Sequence, residues 1–220
     1  MRTARVSVIL LVVLGVLGSA CSSSKKNANG NTATGNTSLT FMPATAAQPW
    51  PAPSNPMQLA VKAGLKPEPA ERLEHHVHSH LDVFIDGKPI IVPAGIGIDI
   101  NNPAVKNAPD GQGYMSYGGI DPPCDQPCIS PLHTHDVTGV VHTESATDVD
   151  NTLGQFFTEW DVKLTAECVD DHCSPETPIA IYVNGKKFTG DPNTIPLTDQ
   201  KEIAIVIGTP PSTIPSQFPT

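Results

Sequence analysis

The sequence predicts a strand-dominated α+β domain over residues 57–208, arranged as a hairpin-rich sheet, a sandwich or a partly closed barrel, with two short helices. Three observations predict it. Asp86-Gly87 and Asn184-Gly185 each lie between β-rich runs, the strongest short-range hairpin signal. Ile203-Ala204-Ile205-Val206-Ile207 is an unbroken apolar run of strand length, as expected of a strand buried on both faces. Helical spacing is confined to two stretches, one after Asn55 and one after Thr152. A folded part of roughly 150 residues fits one domain with a real core.

Taken in order, the chain begins with Arg2 and Arg5, the apolar run Val6 to Leu17 and the small residues Gly18-Ser19-Ala20. This is the pattern of a secretory signal over residues 1–20, and its apolar run is too short to span a bilayer. Leu17-Gly18-Ser19-Ala20-Cys21 resembles the lipobox of bacterial lipoproteins, with the apolar residue four before the cysteine where three is commoner. The resemblance implies cleavage before Cys21, lipidation of Cys21, and a mature chain anchored at the extracytoplasmic face of the cell membrane. Residues 21–56 are rich in Ser, Asn, Thr, Gly, Ala and Pro, too polar to bury an ordering core, and are expected to form a disordered tether.

Asn55-Pro56 places a capping residue before a first-turn proline, and Gly64 closes a short helix. His76, His78 and His80 alternate into Leu81-Asp82-Val83-Phe84-Ile85, a strand whose even-numbered residues share one face, with His75 out of phase. Residues 101–131 are irregular, dense in Gly and Pro, and carry Cys124 and Cys128. Cys168 and Cys173 form a second close pair, and in an oxidising compartment these four cysteines are expected in disulfides. Local pairing is favoured over the two crossed connectivities. Thiolate ligation by Cys124 and Cys128 beside His133 is the alternative. Leu153, Phe156, Phe157 and Trp160 recur at helical spacing behind Asn151-Thr152 and read as core. Val162 to Thr165 is a predicted strand, Ile179 to Val183 and Lys187 to Thr189 flank the Asn184-Gly185 turn, and residues 209–220 form a Pro-rich tail.

Thirteen basic residues against twenty-two acidic ones give a net charge of −9, which becomes −11 once Arg2 and Arg5 leave with the signal. An acidic chain repels phosphate backbones and anionic headgroups, so no nucleic acid is expected as partner, and the membrane only through the lipid anchor. Nothing in the sequence identifies a protein partner.

Seven of the eight histidines fall into two short clusters. In the second, His133-Thr-His135-Asp136-Val-Thr-Gly139-Val-Val-His142-Thr-Glu144, Asp136 and Gly139 supply turn chemistry. A hairpin closed there sets His133 opposite His142 and His135 opposite Val140, which gathers three imidazoles and Glu144 on one face. Imidazole and carboxylate are ligands for zinc and copper. The predicted metal ligands are His76, His78, His80, His133, His135, His142 and Glu144, and the predicted ion is copper or zinc.

The segments His78-Ser-His-Leu-Asp-Val-Phe-Ile-Asp-Gly-Lys88, Leu132-His-Thr-His-Asp136, His142-Thr-Glu-Ser145 and Leu153-Gly-Gln-Phe-Phe157 together resemble a set of uncharacterised small extracytoplasmic microbial proteins. The resemblance spans most of the domain and implies that these segments form one unit, without implying an activity. The histidine spacing departs from that of cupins, and the aromatic and glycine context of copper-zinc superoxide dismutases is lacking. Three function classes follow: a lipoprotein that sequesters, senses or delivers copper or zinc; a metal-dependent enzyme on the same histidines; and a binding module whose histidines form a structural or pH-responsive network.

Overall fold

The computed structural model describes residues 46–219. The signal segment, Cys21 and the predicted tether up to residue 45 lie outside the described residues. The rest is an α+β fold dominated by strands. Helix α1 spans Pro56–Lys62 and α2 Leu153–Trp160. Strands β1 (His75–Ile85), β2 (Lys88–Ile90), β5 (Leu132–His133), β6 (Val140–Ser145), β9 (Ile179–Val183), β10 (Lys186–Lys187) and β11 (Lys201–Ile207) form one seven-stranded sheet. Two small hairpins, β3 (Lys106–Pro109) with β4 (Met115–Gly118) and β7 (Cys168–Val169) with β8 (His172–Cys173), stand apart from it.

The sheet runs in the order β10-β9-β11-β1-β6-β5 and stays open at β10 and β5, so of the predicted architectures the partly closed barrel is not formed. Both expected tight turns are present: Asp86 and Gly87 take φ of 48° and 75°, and Asn184 and Gly185 take 48° and 73°. Positive φ at both central residues matches the right-handed twist of the flanking strands. Strand β1 is the hub. One edge pairs in parallel with β11 from Ser79 to Ile85, and the other divides between β6, from His75 to His80, and β2, from Val83 to Ile85.

Pairing alternates the two faces of the sheet. Leu81 and Val83 of β1, Val141 of β6 and Ile203 and Ile205 of β11 point to one face, where they join Phe156 and Trp160 of α2 in the main core. Helix α2 opens on a capping box in which Thr152 accepts from the Gln155 backbone and Gln155 accepts from the Thr152 backbone. The predicted aromatic stripe of this helix is wholly buried, with Leu153, Phe156, Phe157 and Trp160 each at most 1% exposed.

Four features depart from expectation. Residues 46–56 are not a free tether: Ala47 bridges to Ile90, and Trp50 packs edge-on against Trp160 at 5.9 Å. A single buried tryptophan outweighs the polar composition around it. The irregular stretch 101–131 contains the β3–β4 hairpin, whose exposed β3 carries no apolar alternation to betray it. Val162 to Thr165 makes only an isolated bridge, from Leu164 to Val169, because Cys168–Val169 turns back as a hairpin of its own. The C-terminal segment is also engaged, since Thr209 donates to Asp86 Oδ1 at 3.1 Å and the Phe218 ring lies 6.2 Å from His80.

Both local disulfides, Cys124–Cys128 and Cys168–Cys173, are formed, which removes the thiols that the alternative metal site requires. The first belongs to a small second core with Ile98, Val105, Ile120 and Ile129 beneath the long loop. Among the described residues, no helix is long and apolar enough to cross a membrane.

Candidate metal centre

The face of the sheet opposite α2 carries the histidines. Cross-strand pairing sets His78 against His142 and His76 against Glu144, while β5 sets His133 against His142. In the central hairpin the expected pairing of His133 with His142 is observed, whereas the expected pairing of His135 with Val140 is not, because β5 ends at His133. Its loop is shaped by Asp136, whose Oδ1 accepts from the Thr138 backbone at 2.9 Å. His135 lies just past β5, where Tyr117 of β4 holds it: the Tyr117 N–H donates to the His135 carbonyl at 2.8 Å.

His133, His135, His142 and Glu144 converge into a group able to hold a metal ion, with one ligand atom from each within 4.8 Å of the others. His133 Nδ1 lies 2.9 Å from the Ser130 carbonyl oxygen, and His135 Nδ1 lies 2.6 Å from that of Tyr117. A carbonyl only accepts, so each Nδ1 carries a proton and each neutral ring presents a bare Nε2. These two Nε2 atoms face each other at 3.1 Å. Opposed lone pairs at that distance require a cation between them, either a proton or a metal ion. Two nitrogens on a tetrahedral zinc ion sit about 3.3 Å apart, given Zn–N bonds of about 2.0–2.1 Å.

Protonation is contested inside this group. Burial pushes His133 down to about 3, with the neighbouring charge of His135 acting in the same direction. Burial alone would lower His135 too, but Glu144 and the Tyr117 carbonyl outweigh it and raise that ring above its ordinary value. Of the two facing rings, His135 is therefore the more basic. Burial lowers His142, against the pull of Glu144.

Glu144 is the hub of the charges. Burial alone would raise its carboxyl, yet His135 and His142, with the charge of His133, hold it well below the usual carboxylate range. Its Oε1 lies 3.3 Å from His142 Nδ1, 3.7 Å from His135 Nε2 and 3.2 Å from His76 Nε2. Its Oε2, 3.9 Å from His133 Nε2, is buried without a hydrogen-bond partner among the described residues. A buried carboxylate oxygen without a donor is costly unless a cation completes it.

His76 and His78 flank this group, their Nε2 atoms 2.9 Å apart, and with His142 form a second set of converging ligands. His80 is separated from both, unlike the predicted common cluster. It shares their face, but at His80 the strand gains β11 as neighbour, and Glu202 lies opposite. His80 Nδ1 meets Glu202 Oε2 at 2.9 Å and Nε2 meets the Thr138 carbonyl at 2.9 Å, so both nitrogens are engaged. Burial pushes Glu202 up to about 7, and the two groups share a proton in a third set completed by Asp82. His75 points away, to Asp148 at 2.9 Å, as its phase predicts. His172, the one histidine outside the two clusters, is half-buried in β8 with its ring edge-on to Trp50 at 6.4 Å.

Sequence reasoning misses two contributors to the site and one buried carboxyl behind the sheet. The Ser130 and Tyr117 carbonyls that orient His133 and His135 are backbone atoms with no residue signature. Glu159 of α2 is fully buried, and burial pushes its carboxyl well above the usual range. A cleft of about 470 Å³ reaches the site, lined by Glu71, Tyr117, Gly118, His135 and Glu144 among others.

No family model, no curated protein and no solved structure matches this chain.

Proposed function

We propose that this chain binds a transition-metal ion, copper or zinc, through His133, His135, His142 and Glu144. We further propose that it does so at the extracytoplasmic face of the cell membrane, anchored by a lipid on Cys21, to sequester, sense or deliver the ion. The observation that carries the reading is the pair of Nε2 atoms facing each other at 3.1 Å, each ring fixed from behind by a carbonyl. The donor set is rich in imidazole, which suits zinc and copper better than the hard cations. An ion entering between the rings competes with protons for the same nitrogens, so binding weakens as acid is added.

A second reading, a metal-dependent enzyme, is favoured by one feature, the cleft that opens onto His135 and Glu144. On that reading the three imidazoles hold the ion and leave a fourth position for a water or substrate ligand, which Glu144 orients instead of binding the ion itself. A carrier and an enzyme on this site share the same imidazoles and differ in the role of Glu144 and in turnover.

The test is elemental analysis of the purified full chain after dialysis against copper and zinc, beside the His133→Ala/His135→Ala variant. The parent is expected to retain near-stoichiometric metal and the variant to lose more than about 100-fold in affinity, beyond what orienting partners alone contribute. A parent that retains no metal refutes the proposal. For the anchor, Cys21→Ser is expected to move the protein from the membrane to the soluble fraction, and persistent membrane association would refute it.

A further inference from the structure

The ligand face is wider than one ion needs. Three neighbouring strands each contribute: β1 supplies His76 and His78, β6 supplies His142 and Glu144, and β5 with the residues after it supplies His133 and His135. The middle strand therefore has ligands on both sides. His133 and His135 converge on Glu144 from one side, and on the other His76 Nε2 stands 3.2 Å from Glu144 Oε1 and 2.9 Å from His78 Nε2. The His78 and His142 rings are 4.4 Å apart, so the two ligand sets adjoin.

We propose that His76, His78 and Glu144 hold a second transition-metal ion beside the first, the Glu144 carboxylate bridging the two. This rests on the first site being a metal site. A carboxylate has two oxygens and room for a cation on each, whereas a neutral imidazole binds through one nitrogen. His142 converges with both sets and can complete one shell only; we assign it to the first, which leaves Glu144, 3.2 Å from His76 Nε2, as the group shared with the second. The second ion then has two imidazoles and one carboxylate oxygen. Three protein ligands with a remaining open position is the count of a reactive or exchangeable site, not of a closed structural one.

Burial separates the two positions in character. His133 is fully buried and Glu144 nearly so, whereas the His76 side chain is 36% exposed, so the second ion meets solvent. Two divalent cations sharing one carboxylate repel each other, which weakens the later ion. The acidic chain offsets this in part, and Asp199 lies against His78, its Oδ1 accepting from the His78 backbone at 3.3 Å. The second site is thus the weaker, more rapidly exchanging one, of the same imidazole-favouring class as the first.

The experiment is equilibrium dialysis of the full chain against buffered free zinc, beside His76→Ala/His78→Ala, with circular dichroism to verify the fold. The parent is expected to bind two ions in two phases, and the variant to lose the weaker one and keep the tighter. A parent that saturates at one ion overturns this inference alone, a variant that still binds two overturns the ligand assignment, and a parent that binds none overturns the first site as well. Electron paramagnetic resonance of the parent with two equivalents of Cu(II) needs no variant. Spins bridged at this range should couple and deplete the single-copper signal, and a full signal from two isolated coppers would overturn the bridge.

Discussion

Trp160→Ala is expected to cost about 3–5 kcal/mol of folding stability, the range for truncating a fully buried aromatic side chain. Trp160 is 1% exposed, lies 5.4 Å from Phe157 and 6.0 Å from Phe156, and meets Trp50 edge-on at 5.9 Å. Its indole Nε1 donates to the Trp50 carbonyl at 3.0 Å, so truncation both opens a cavity and orphans a buried acceptor. Trp50 should then loosen from the domain, carrying residues 46–56 with it. Denaturant unfolding followed by tryptophan fluorescence measures the loss. A cost below about 1 kcal/mol would mean that the α2 side of the sheet is not the main source of stability. Metal retention of the folded variant should be unchanged, because the ligands occupy the opposite face.

That division between the two faces explains which parts of the molecule are legible in the sequence. Alternation along β1 is visible, since Leu81 and Val83 face the core while His76, His78 and His80 share the other face. The pairing of His133 with His142 is visible too, because the Asp136 turn lies between them and sets the register locally. What lies beyond is long-range. Nothing near His80 indicates that Glu202 will stand opposite, because that contact comes from the parallel pairing of the first and last strands of the sheet. The same pairing keeps His80 out of the ligand group, where spacing alone would place it. Glu159 is hidden for another reason: a carboxyl inside a helix is ordinary in sequence, and only the packing shows that this one is buried.

The site is assembled from weakly patterned pieces braced by the strongly patterned sheet. His135 depends on Tyr117, and Tyr117 belongs to a hairpin within the long loop, stapled further along by Cys124–Cys128. Rings held by carbonyls from behind have their Nε2 atoms aimed at one point in advance, which lowers the ordering cost of binding. The charge arrangement follows the same logic. Burial pushes His133 down while His135 and His142 hold the Glu144 carboxyl down, so the group leans toward neutral imidazole beside carboxylate, the forms in which these side chains bind a metal ion.

The clearest test of that bracing is Gly97→Ala. Residues 95–97 lie along the segment that carries His133: Ser130 donates to the Gly97 carbonyl at 2.7 Å and Thr134 donates to that of Ile96 at 3.1 Å. Gly97 has φ of +72°, and a Cβ there would overlap the Leu132 carbonyl oxygen and stand 3.1 Å from His133 Cβ. The backbone strain alone costs about 1–3 kcal/mol for a side chain in this region, and relieving the overlap must push Leu132 and His133 away. Gly64→Ala separates the two effects, because Gly64 has a similar φ of +78° and a methyl group there would meet nothing within 4 Å. Gly64→Ala is expected to lose stability from strain alone and to bind metal as the parent does. Gly97→Ala should lose more stability and, in addition, about 10-fold or more in metal affinity, the scale on which misplaced orienting groups act. Thermal unfolding and zinc competition titrations of the two variants measure both quantities. Equal metal affinity in both would mean that His133 is not positioned by this contact and that the strand behind it yields without disturbing the site.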